Sequence, residues 1–122
     1  MPKTTIKDFE LFKQECQKWI NYFGLKEWRV DYAHDSLSEN TVAELAWDMS
    51  NMTALISLNV VMDKDSYCNI LPISPFHEIC ELLLTKLRTS GKSRFLNPDE
   101  IEEHNHEIVR ILENTIFRDI KI

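Results

Sequence analysis

An α+β fold is expected from three observations. A period of 3.6 runs through both ends of the chain, a period of two runs through its middle, and two Pro-marked helix starts divide the C-terminal half. The resulting order is an N-terminal helix, a small three-stranded sheet and two packed C-terminal helices. The length of 122 residues suits one domain, residues 1–122, around one core.

The apolar residues Ile6, Phe9, Phe12, Cys16, Trp19, Ile20 and Phe23 recur in steps of three and four. That spacing predicts an amphipathic helix, with Gly24 as its stop. Residues 28–32 alternate apolar and polar, as a half-buried strand does. Residues 43–49 repeat the pattern with Leu45, Trp47 and Met49 on one face. Residues 54–61 form the richest strand, with Ala54, Ile56, Leu58 and Val60 on one side. Ser50-Asn51 between the second and third strands reads as a hairpin turn. Residues 62–73 read as a loop. Ser74 then predicts an N-cap, with Pro75 at the first helical position, where a missing N–H costs nothing. Residues 89–93 read as the end of that helix. Asn97-Pro98 repeats the start signal for the last one, whose apolar face is Ile101, Ile108, Ile111, Leu112 and Ile116.

Composition narrows the function. The chain is 43% hydrophobic and 28% charged with a net charge of −6. It lacks a run of Lys and Arg, so non-specific binding to a nucleic-acid backbone is not expected. No stretch approaches the 18 apolar residues of a membrane span, and the N-terminus reads as free of a secretory signal. Cys16, Cys68 and Cys80 are odd in number and fit no C-x-x-C spacing, which suggests reduced thiols and a cytoplasmic protein. Only two glycines are present, so a Gly-rich phosphate loop is ruled out.

The chemistry-bearing stretch is His77-Glu78-Ile79-Cys80-Glu81. Four residues of helix place His77 and Glu81 on one face, one turn apart. The pattern is one substitution from H-E-x-x-H, in which two helix-borne ligands hold zinc and the intervening Glu is the general base. A carboxylate also ligates zinc. On the last helix, at 100° per residue, His104 falls about 40–60° from the apolar centre, whereas His106 lies about 140° away and should face water. His77, Glu81 and His104 would make two imidazoles and one carboxylate. That is the ligand set of a zinc site with one position open to water, with Glu78 as its base. Iron(II) fits the same set less well. A hairpin of the two helices is expected to bring the three donors to one point, with Glu78 bordering its open side.

These residues carry a resemblance. Trp28 before the first strand, the strand Leu55-Ile56-Ser57-Leu58, the segment from His77 to Leu83 and the closing run Ile108-Val109-Arg110-Ile111-Leu112-Glu113-Asn114 resemble the minimal zincin-like metallopeptidase scaffold. More narrowly, they resemble small metallopeptidase-like proteins of bacteriophage and prophage genomes. The resemblance spans most of the chain from Trp28 to Phe117. It implies that His77 and Glu81 are ligands, that Glu78 is the base, and that a third ligand comes from the closing helix. It also implies a bacterial host cytoplasm; the peptidase reading takes a protein or peptide as substrate, which the resemblance itself does not supply. The chain departs from the pattern twice, with Glu81 where a peptidase carries His and His104 where relatives usually carry Glu. Three readings follow: a zinc-dependent peptidase acting on a segment laid along a strand edge, an inactive metal-binding module, and a metal-free module that recognises a protein partner.

Overall fold

The computed structural model describes residues 2–92 and 97–120, and the side chains of Lys92 and Ile120 are not among them. Helix α1 spans Ile6–Phe23, followed by strands β1 (Arg29–Asp35), β2 (Ala43–Asp48) and β3 (Thr53–Asn59). Helices α2 (Ser74–Leu83), α3 (Thr85–Lys92), α4 (Pro98–Leu112) and the single turn α5 (Arg118–Ile120) complete the α+β fold.

Helix α1 begins at Thr5, which exchanges hydrogen bonds with Asp8, and ends where Gly24 takes the left-handed conformation at φ 69°. Both are low-energy ends, because they satisfy backbone groups that a helix terminus leaves unpaired. The buried residues Phe12, Cys16, Ile20 and Phe23 form the face turned to the core.

The sheet order is β1-β3-β2, with β1 parallel and β2 antiparallel to the central β3. The expected hairpin joins β2 to β3, with the Asp48 carboxylate accepting from Ser50 and Asn51 and Met52 at φ 53°. Register aligns Val30, Ala54 and Trp47 across the three strands, and likewise Tyr32, Ile56 and Leu45. These side chains share one face, which α1 and α2 cover. Ile56, Leu58, Met62, Ile79 and Leu82 are buried at its centre.

Four local expectations are corrected. Residues 62–73 are not a plain loop. Ser66–Ile70 forms a wide π turn and Leu71–Ile73 a tight 3₁₀ turn running straight into α2. For that reason Ser74 is not an N-cap. Helical backbone precedes it, and its hydroxyl donates back to the Ile70 carbonyl. The long C-terminal segment breaks at Leu84, and helix continues through Thr89–Gly91 to Lys92; Ser93 lies outside the described residues. Finally, a π turn at Glu113–Phe117 adds a residue to the last helical segment. Thr115 is buried, its hydroxyl donating to the Ile111 carbonyl, whereas Leu112 and Ile116 of the expected apolar face are exposed. Asn97 does cap α4, accepting from the Glu100 N–H at 2.9 Å.

Candidate functional site

Helix α2 lies against β2, and its first two turns present His77, Glu78 and Glu81. Helical spacing brings His77 Nε2 to 3.6 Å from Glu81 Oε1, on a solvent-facing side. The other Glu81 oxygen receives Arg88 Nη1 at 2.7 Å. The Arg88 guanidinium also lies over the Trp47 ring, 4.9 Å from its centroid. Arg88 was not singled out from the sequence. The signal existed, since seven residues is two helical turns and sets Arg88 on the face of Glu81. Exposed pairs of this kind contribute about 1 kcal/mol or less. The local effect is to place a fixed positive charge against one of the expected ligands.

Burial separates the two carboxylates. Glu81 is half-exposed, whereas Glu78 is only 7% exposed. Burial raises the Glu78 pKa above the ordinary carboxylate range; Glu81 and Glu44 add to the rise and His77 opposes it. Among the described residues, no hydrogen bond or ion pair reaches the Glu78 carboxylate. Glu78 lines a groove of about 300 Å³ together with His77, Ser74, Ile70, Ile73 and residues 40–43 at the start of β2. Beneath it, burial and then the nearby Glu78 push the Cys16 thiol up to about 12. Cys16 is therefore a neutral core residue rather than a nucleophile.

The expected third ligand is elsewhere. His104 does point inward, and His106 is exposed as expected. However, His104 Nδ1 is hydrogen-bonded to Ser90 Oγ, and the residue lies among Leu82, Leu83, Thr85 and Lys86. Ser90 is thirteen residues beyond His77 and on α3, past the break at Leu84, whereas His77 is in the first turn of α2. In a hairpin, residues equally far from the turn meet. His104 is within two turns of the start of α4, whereas His77 is about four turns from the end of α3. The sequence-based reading matched the faces correctly but not the heights along the helices.

His77 and Glu81 supply two donors, and the described residues contain no group of three His, Cys, Asp or Glu able to hold an ion. A catalytic zinc site needs three protein ligands. The described residues do not fit a resident zinc or iron, and no chemical step is assigned to one.

No family model, no curated protein and no solved structure matches the chain.

What remains is a groove beside the outer edge of β2, which no strand among the described residues covers. Asn59 N–H donates to the Val42 carbonyl, and the β2–β3 register pairs Glu44 with Ser57 and Ala46 with Leu55. By antiparallel alternation Val42, Glu44, Ala46 and Asp48 turn their backbone groups toward β3. Ala43, Leu45 and Trp47 turn theirs to the outer edge. No helix among the described residues is long and apolar enough to cross a membrane.

Proposed function

We propose that the chain is a peptide-recognition module that receives an extended segment along the outer edge of β2. The observation that carries this reading is the open edge itself. Ala43, Leu45 and Trp47 offer backbone donors and acceptors directly beside the groove between β2 and α2. Strand addition draws its affinity from such main-chain bonds and its selectivity from pockets for alternate side chains. The groove is bordered by Glu78 and His77, and the chain carries a net charge of −6. Both favour neutral or basic segments over acidic ones.

The test removes one edge donor without touching the sheet. Ala43→Pro deletes an outward N–H and leaves the Asn59-to-Val42 bond in place. Fluorescence polarisation with labelled, acetylated β-forming octapeptides should show affinity falling at least about tenfold, while thermal melting stays cooperative. Unchanged affinity in the variant would remove the β2 edge from the reading.

A second reading is zinc-dependent peptide hydrolysis. It is supported by the His77-Glu78-x-x-Glu81 order, by the buried carboxyl of Glu78 in the groove, and by the resemblance to phage metallopeptidases. It requires a donor that the described residues do not bring to His77 and Glu81. Metal analysis of untagged protein prepared without chelator comes first: a trace amount of zinc insensitive to His77→Ala would retire it. Near-stoichiometric zinc lost in His77→Ala would restore a metal site, and peptide turnover abolished by Glu78→Gln with the metal retained would separate a hydrolase from an inactive metal-binding module.

A further inference from the structure

We propose that Glu78 is the counter-ion for a Lys or Arg side chain of the bound segment. This inference rests on the strand-addition reading above.

An ionised carboxylate that is 7% exposed and without a hydrogen bond or ion pair among the described residues is costly to hold. Such groups persist where function uses them. Among the described residues no side chain bonds to it, and His77 is the one nearby charge that favours it. The nearby charged groups Glu44 and Glu81 repel the carboxylate further. The thiol of Cys16 is neutral and a weak donor. His77 lies beside Glu81 on the exposed side of the helix. Arg88, the cation bonded to the neighbouring Glu81, also covers Trp47. The position for a complementary charge therefore faces the groove, where a ligand side chain can fill it.

A cationic side chain fits the groove better than a free ion. A single carboxylate offers too few ligands for a divalent metal, whereas it matches one ammonium or guanidinium. The walls Val42, Ile70 and Ile73 are apolar, with Ile73 62% exposed. They suit the methylene stem of Lys or Arg, whose charged head reaches beyond it. The direction is also right. On a strand added to β2, every second side chain points to the face shared by Ala43 and Leu45, where α2 and Glu78 lie.

The experiment compares two acetylated, amidated octapeptides that differ only by Arg against citrulline, its neutral isostere, at one central position. Binding to the full chain is read by fluorescence polarisation at pH 7.5. Wild type should prefer Arg at least about tenfold. Glu78→Gln should bind both peptides alike, near the citrulline affinity, and Ala43→Pro should weaken both. If wild type binds the two peptides equally and Ala43→Pro abolishes that binding, the counter-ion role falls and strand addition stands. A preference for Arg that survives Glu78→Gln also overturns it. If wild type binds neither peptide, both readings fall together.

Discussion

Leu58→Ala should lower the unfolding free energy by about 2–5 kcal/mol. Leu58 is fully buried in the central strand and lies opposite His34 on β1 and Ala43 on β2. Strands on both sides and helices above leave little freedom to close the void. The cost therefore includes a cavity as well as the lost transfer energy. A domain of this size holds only about 5–15 kcal/mol in total, so the variant should approach the limit of folding. Urea titration followed by tryptophan fluorescence gives the value, with Trp28 buried in the same core. The midpoint should drop while the slope stays constant. A loss under about 1 kcal/mol would contradict the placement of β3 at the centre of the sheet.

Glu78→Gln should raise stability near neutral pH, on the order of 1 kcal/mol, and the gain should grow with pH. Burial lifts the Glu78 carboxyl above its ordinary range in the folded chain. Folding therefore takes up a proton between the unfolded pKa and the raised folded one, and stability falls as pH rises through that interval. Above it the penalty is fully present, and below the unfolded pKa it vanishes. Glutamine keeps the shape and does not ionise. The groups that act on Glu78 are His77 and Glu81 on its own helix and Glu44 on β2; Cys16 of α1 faces it as a neutral thiol. Melting temperatures of both proteins from pH 4 to pH 8 should separate as pH rises through the raised Glu78 pKa and then keep a constant gap. No gap at any pH, or one that closes as pH rises, would show that Glu78 is not destabilised by its surroundings. A stabilising substitution that also removes ligand selectivity is the expected signature of a residue kept for binding rather than for folding.

Much of the fold was legible locally. The helix from Ile6 to Phe23, its stop at Gly24, the hairpin at Ser50-Asn51 and the Asn97 cap each depend on chemistry within a few residues. Neighbouring side chains and backbone propensities decide such features. The local misreading of residues 62–73 comes from helical turns of unusual winding. A π turn at Ser66–Ile70 and a 3₁₀ turn at Leu71–Ile73 occupy a stretch that looks like a loop. Winding of this kind leaves no periodic mark in a short stretch.

The candidate site divides along the same line. Sequence alone determined that His77 and Glu81 share a face, that His104 points inward and that His106 does not. These are angular statements within single helices, and helical geometry settles them. Only the tertiary structure decided which of those faces meet. The break at Leu84 and the register of α3 against α4 carry His104 to Ser90, away from His77. Arg88 takes up Glu81. Glu78, expected as a helper beside a metal, is the carboxylate that the packing of α2 on β2 buries. Spacing along one helix is set by the backbone, whereas height between two helices depends on side chains packing from distant parts of the chain. No local pattern encodes that sum.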